Sequence, residues 1–318
     1  MGTYEEMKIR LLEEDRRSFW PRGGLDVVEF VGRRREEIDN FRDYAGEYYK
    51  KPEYFRIGED FVYKKKQLAG EVPAEIVLGY AYNELGIASP IAYPFFMKTY
   101  FTQKDKRKSL RDMILIPDGV ITKDVLQVFP TAEKRGDKAC HTIHGLYTDE
   151  NCLRNITHNG RMSRIKEMIA SIAFNNKDAG YDNSFWVRDS QGKYDSIVSI
   201  DHGYSGRYSM YVLPYKEYLR QLYFKGEHGY NGMFEPEEDR GTTIFFLKQL
   251  LAGKNVAGVE FTKEEIAELN HFIKQIKALD FDAINKYYAN RFNFDCSRGY
   301  MQGLEWSRED LCDNLLTP

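Results

Sequence analysis

The stretch from Phe174 to Gly206 constrains this chain more than any other. Two apolar runs, Ser184–Val187 and Ser196–Ile200, flank the polar segment Asp189-Ser-Gln-Gly-Lys193. Alternating apolar runs around a glycine-containing turn are the signature of a β-hairpin. An antiparallel hairpin returns to the edge it started from. Asn183, just before the first strand, should therefore neighbour Asp201, just after the second. Asp178 falls on the loop leading into the first strand. The hairpin thus gathers two carboxylates and an amide oxygen at one mouth. Hard cations such as magnesium take oxygen ligands of this kind and usually keep phosphate oxygens as well. The same residues would also serve as ordinary turn formers in a polar hairpin.

The spacing Asp178-x-x-x-x-Asn183, then a hairpin, then Asp201-x-Gly203 resembles the catalytic and metal-binding loops of the protein-kinase-like fold. The resemblance is to its atypical branch, the HipA-like serine/threonine kinases and the phosphoinositide kinases. It implies that Asp178 orients or deprotonates the acceptor hydroxyl, while Asn183 and Asp201 hold Mg2+ on the phosphates of ATP. The pattern departs from the usual one in three places. Asn176-Lys177-Asp178 stands for His-Arg-Asp, Gly180 stands where atypical members often carry His, and Asp201-His202-Gly203 stands for Asp-Phe-Gly.

Two upstream segments follow the same order. Asp60–Lys66 reads as a strand whose alternation puts Val62, Lys64 and Lys66 on one face. The resemblance implies a lysine reaching the nucleotide phosphates, Lys64 first and Lys66 second. The competing reading is a row of lysines guarding an edge strand. Gly70–Gly86 reads as a helix, with Pro73 in its first turn, an apolar stripe of Ile76, Val77, Tyr80, Ala81 and Leu85, and Gly86 at its C-cap. Glu75 and Glu84 lie nine positions apart, on opposite faces, so one can face the lysine strand and the other solvent. By resemblance Glu75 pairs with the lysine; the helix dipole alone would also favour a first-turn glutamate.

Ala92–Thr102 and Met113–Ile116 read as paired strands of the same small sheet, and Pro117-Asp118-Gly119 as a turn and the hinge between two lobes. Adenine would dock against backbone near Ile114–Gly119, with Ile116 and Asp118 the residues named for it. Leu25–Val31 reads as a further strand. No phosphate-covering glycine loop is recognisable; Gly23-Gly24 reads as a simple turn. Downstream, Arg161–Phe174 is an amphipathic helix with Met162, Ile165, Met168, Ile169 and Ile172 on its buried stripe. Tyr208–Tyr223 is an aromatic-rich connection or an acceptor-binding segment. Thr243–Leu251, Thr262–Leu279 and Asp282–Phe292 read as helices, the second opened by the capping box Thr262-Lys-Glu-Glu265. The tail after Cys296 carries no assignment.

The expected fold is α+β: a bilobal protein-kinase-like domain with a small antiparallel sheet and one helix in an N-lobe (1–117), and a mainly helical C-lobe (118–318). The expected activity is ATP- and magnesium-dependent transfer of a phosphoryl group to a hydroxyl, a protein serine or threonine first. A lipid or small-molecule acceptor, or an inactive kinase-shaped binding module, are the alternatives. A net charge of −3 gives no basic footprint for nucleic acid. No apolar run approaches membrane-spanning length, and the acidic Met-Gly-Thr-Tyr-Glu-Glu start is not a signal peptide. Cys140, Cys152, Cys296 and Cys312 are scattered and suggest neither a disulfide scaffold nor a zinc ribbon, which fits a reducing, cytoplasmic compartment. Export without a classical signal peptide is compatible with the same sequence. Cys140-His141-x-x-His144 with Cys152 matches no standard metal spacing and reads as a polar loop.

Overall fold

The computed structural model describes residues 29–30, 54–57, 61–65, 71–90, 92–97, 119–134, 136–176, 179, 183–203, 240–292 and 298–316. Within them the architecture is α+β. The first part is a five-stranded sheet: β1 (Glu29–Phe30), β2 (Tyr54–Ile57), β3 (Phe61–Lys65), β4 (Tyr93–Met97) and β5 (Gly119–Lys123). Its order is β1-β4-β5-β3-β2, antiparallel except for the β1–β4 pair. Helix α1 (Glu71–Glu84) connects β3 to β4 and packs on β4 and β5.

Helix α1 ends where its sequence says it should. Gly86 takes φ 76°, a left-handed value that costs glycine little. The Gly86 amide then donates to Asn83 O (3.0 Å) and the Ile87 amide to Tyr82 O (2.9 Å), closing a Schellman cap. The Asn83 amide holds the following loop by donating to Gly79 O and Ser89 O, both at 2.6 Å. That loop docks on the second sheet through the Ala88–Val198 bridge, with the Ser199 amide donating to Ala88 O (2.9 Å). Val72, Ala74, Ile76, Val77, Leu78, Ala81, Tyr82 and Leu85 are all buried, so α1 is enclosed on most sides. A helix apolar on so much of its surface is stable only inside a core.

The chain between the sheets carries α2 (Val125–Val128), β6 (Glu133–Lys134), a 3-10 turn (Lys138–His141), α3 (Ile143–Thr148) and α4 (Glu150–Asn155). Then come α5 (His158–Ala173) and the hairpin of β7 (Ser184–Arg188) and β8 (Tyr194–Ser199), which β6 extends to a three-stranded sheet. Four helices pack beyond it: α6 (Arg240–Leu251), α7 (Lys263–Ala278), α8 (Phe281–Phe292) and α9 (Arg298–Leu316). The Thr262–Glu265 capping box at the start of α7 forms in both directions. Helix α5 lies at the centre, packed against β8, α7 and α9.

Several expectations need correction. Gly119 opens β5 and does not belong to a turn. Since β5 runs between β4 and β3, the sheet-bearing part reaches at least Lys123, beyond the expected boundary at 117/118. β3 lies between β2 and β5, so its lysines do not guard an edge. The tail after Cys296 contains α9, whose Met301, Leu304, Leu311, Cys312 and Leu315 are buried. Cys140 and Cys152 form a disulfide with Cα atoms 5.5 Å apart. The 3-10 turn and α3 fold the chain back on itself and bring α4 beside Cys140, which linear spacing does not reveal. The case for a reducing compartment drew on unpaired cysteines and loses that premise. Among the described residues, no helix is long and apolar enough to cross a membrane.

Candidate functional site

The hairpin forms as its sequence dictates. Asp189 stabilises its own turn: its Oδ1 accepts from the amides of Gln191 (2.8 Å) and Lys193 (2.9 Å), and Gly192 takes φ 78°. Ser184 pairs with Ser199, and the Ile200 amide donates to Asn183 O at 2.9 Å. The hairpin thereby brings Asn183 beside the residues that end at Asp201. Both are half-buried.

Strand alternation gives the hairpin two different faces. Trp186, Ile197 and Tyr194 join the main core with α5. Phe185, Val198 and Ile200 form a separate small apolar cluster with Val125, packed by half-buried Ala88, Leu126, Phe129, Ala132 and Val187. Ile200 of this cluster immediately precedes Asp201. The cluster went unseen in the sequence, because its members come from three segments whose proximity only the fold creates.

The backbone is unusual at two places around the mouth. Asn175 takes φ 51° and Asp201 φ 59°, left-handed values rare outside glycine though least costly for Asn and Asp. Asn175 has a local reason: it follows Phe174, the C-cap of α5, in the position where a left-handed residue closes the helix. Its amide donates to Ile172 O (3.2 Å) and the Asn176 amide to Ser171 O (2.8 Å). Asp201 follows a strand, and its conformation is held by what comes next. His202 is only 1% exposed, and its ring lies on that of Tyr82 with centroids 4.5 Å apart. Its Nε2 is 2.8 Å from Ser89 Oγ and its Nδ1 is 3.4 Å from Asn176 Nδ2.

Behind His202 runs a buried polar network. Tyr82 Oη lies 2.8 Å from Ser171 Oγ, and the hydroxyls of Ser171 and Ser199 both donate to Glu167 Oε1 at 3.1 Å. Glu167 Oε2 accepts from Arg164 Nη1. The same guanidinium donates through Nε (3.3 Å) and Nη2 (3.1 Å) to His141 O, next to the Cys140–Cys152 disulfide. Arg164 is 0% and Glu167 1% exposed. Burial pulls the Arg164 pKa down from its ordinary value, and the Glu167 carboxylate opposes that shift. Burial likewise pushes the Tyr82 phenol up, and the Glu167 charge adds to it. These residues were not foreseen. Arg164, Glu167 and Ser171 sit at i, i+3 and i+7, a pattern that reads as the solvent face of an amphipathic helix; here that face is interior as well.

The expected site residues divide as follows. Asn183 and Asp201 are brought together. Glu75 is buried and Glu84 exposed, as their opposite helical phases require. Lys64 lies on β3, in register with buried Val120 of β5; its side chain lies outside the described residues. So do Lys66, Ile116, Asp118 and Asp178, together with Tyr208–Tyr223. The described part of the mouth offers one carboxylate and one amide oxygen. That oxygen-only donor set fits a hard cation that keeps phosphate or water ligands, and gives no thiolate or imidazole set for a softer metal. No group of three or more His, Cys, Asp or Glu able to hold a metal occurs among the described residues.

No protein-family model matches the chain, and no curated protein matches it. Among solved structures, the chain is similar to the Helicobacter pylori proinflammatory kinase CtkA, with a TM-score of 0.47 and 14% identity. The similarity spans 83% of this chain and 90% of that one. At that level of likeness, the functional assignment rests on the residues of the site itself.

Proposed function

We propose that this protein is an ATP- and magnesium-dependent phosphotransferase, a protein serine/threonine kinase of atypical type, working at the mouth of the β7–β8 hairpin. One observation carries the proposal: Asn183 and Asp201 meet at that mouth, with Asp201 held in a left-handed conformation beside a fully buried neighbour. Backbone strain of this kind persists where surrounding structure enforces it, and it concentrates at functional sites.

The roles follow from position. Asn183 and Asp201 would hold Mg2+. Bound magnesium supplies charge neutralisation at the transferring phosphoryl group. Asp178, which precedes β7 in the sequence, orients the acceptor hydroxyl and takes its proton. The acceptor oxygen forms the new bond to phosphorus as the bond to the leaving nucleotide diphosphate breaks. Lys64 contacts the phosphates, and Glu75 orients it. Directly paired strand residues share a sheet face. The pairing of Lys64 with Val120, which is buried in the same core as α1, supports Lys64 over its neighbour Lys65. Lys66 stands as second choice. The base docks near Ile116 and Asp118. The sheet-bearing N-terminal part and the helical C-terminal part act as two lobes, meeting after β5.

Calorimetric titration with ATP, with and without magnesium, tests this. The parent protein should bind ATP more tightly with magnesium present, and Asp201→Ala should lose that gain. Asp178→Asn should keep nucleotide affinity and lose transfer, since general-base help contributes on the order of 10²–10⁴ in rate and little to ground-state binding. Parent protein that does not bind ATP at all would overturn the proposal.

A further inference from the structure

We infer that His202 is a positioning residue, and that Ser89, from the loop after α1, and Asn176, from the end of α5, clamp its ring to fix Asp201 for metal binding. This rests on the phosphotransferase reading of the site.

The hydrogen-bond directions can be followed from one end. Glu167 is the terminal acceptor of the network: Ser171 Oγ donates to it at 3.1 Å. The Ser171 proton being committed there, Tyr82 must donate its own to Ser171 Oγ, 2.8 Å away. The Asn176 side-chain nitrogen faces His202 Nδ1 at 3.4 Å. An amide nitrogen only donates, so Nδ1 must accept. The ring proton then sits on Nε2 and is donated to Ser89 Oγ at 2.8 Å. The Nε2–H tautomer of His202 satisfies both Ser89 and Asn176.

The consequence is mechanical. Three segments converge on a single ring: Ser89 from the loop that bridges to β8, Tyr82 from α1, and Asn176 from the Schellman cap of α5. Ser89, Asn176 and His202 are each almost fully buried. The ring cannot rotate without breaking a hydrogen bond or losing its contact with Tyr82. Asp201 is the adjoining residue, so its φ of 59° is set by a side chain that does not touch the metal. A phenylalanine at 202 could keep the ring contact but would make neither hydrogen bond. The position of α1, which bears Glu75, and the position of Asp201 are thus tied through Tyr82 and Ser89.

The test uses the full chain and the variants Ser89→Ala, Ser89→Thr and His202→Phe. Nitrogen-15 NMR of the imidazoles reads the tautomer, the His202 signal being the one absent from His202→Phe. The Nε2–H tautomer is expected in the parent; an Nδ1–H tautomer would overturn the clamp whether or not the protein is active. Calorimetry with ATP gives the magnesium concentration for half-maximal enhancement of binding. Ser89→Ala and His202→Phe should raise it about tenfold, as loss of a buried hydrogen bond implies. Affinity for metal-free nucleotide should not change, and Ser89→Thr, which keeps the hydroxyl, should restore the parent value. An unchanged magnesium requirement in both disrupting variants, with thermal melts showing them folded, sinks the positioning role alone. A parent protein with no magnesium-dependent nucleotide binding sinks the phosphotransferase reading, and the role of His202 in it.

Discussion

Replacing Glu167 with alanine should be among the most damaging single changes available in this protein. The carboxylate accepts from Arg164, Ser171 and Ser199 in the interior of α5 and β8. Its loss strands a guanidinium that is 0% exposed, whose remaining partner is a single backbone carbonyl, His141 O. Breaking a buried ion pair from one side costs about 3–5 kcal/mol, because the surviving charge has no counter-ion and little water. The unfolding entropy of roughly 2.1 cal/mol/K per residue gives about 0.7 kcal/mol/K for this chain, so the melting temperature should fall by about 4–7 °C. Removing both charges is a different perturbation. Arg164→Met with Glu167→Leu replaces the pair by apolar groups and should lie within about 2 kcal/mol of the parent. Urea unfolding followed by far-ultraviolet circular dichroism, with calorimetric melts, measures both variants. A loss below about 1 kcal/mol for Glu167→Ala would refute the reasoning. So would a double variant as unstable as the single one, since the cost would then not come from an uncompensated charge.

Other outcomes follow from local geometry. Reducing the Cys140–Cys152 disulfide, or Cys140→Ser, should cost about 3 kcal/mol from the chain entropy regained over its 12-residue separation, read as a shift in the urea midpoint. Gly160→Ala should destabilise by about 1–3 kcal/mol, because its Cβ would come 2.3 Å from the Tyr194 carbonyl oxygen, which is backbone and cannot turn aside. Burial pushes the Cys312 thiol up to about 11, so at pH 8 it stays protonated. Iodoacetamide should therefore modify Cys312 at least about 100-fold more slowly in native protein than in urea, as peptide mapping would show, with the rate rising as pH approaches that value.

Much of the fold could be read from short-range pattern. The hairpin declared itself through two alternating runs around Asp189–Lys193, and α7 through its capping box. Helix α1 was legible from Pro73, the apolar stripe and Gly86. These features are local: the residues that determine the structure are the ones that form it. The elements that escaped depend on distant partners. β5 went unread, because Gly119 follows Pro117-Asp118 and reads as part of a turn; the expected strand Met113–Ile116 lies outside the described residues. Helix α9 hid behind Gly299 and Gly303, which lower helix propensity, although Met301, Leu304 and Leu311 keep helical spacing. At the site, Asn183 and Asp201 were foreseen because hairpin closure alone brings them together. Ser89, Asn176 and Glu167 were not, since polar residues in a helix or loop ordinarily face water, and only the packed tertiary structure shows that these face one another.

The central claim is phosphoryl transfer at the hairpin mouth. Intact-mass spectrometry after incubation with ATP and magnesium, alone and with a cell extract as acceptor source, tests it most directly. The account predicts acceptor species heavier by about 80 Da, the mass of one phosphoryl group, formed by the parent protein and absent with Asp178→Asn and Asp201→Ala. Acceptors that gain no mass, acceptors heavier by about 329 Da as nucleotidyl transfer would give, or gains that persist in both variants would contradict it.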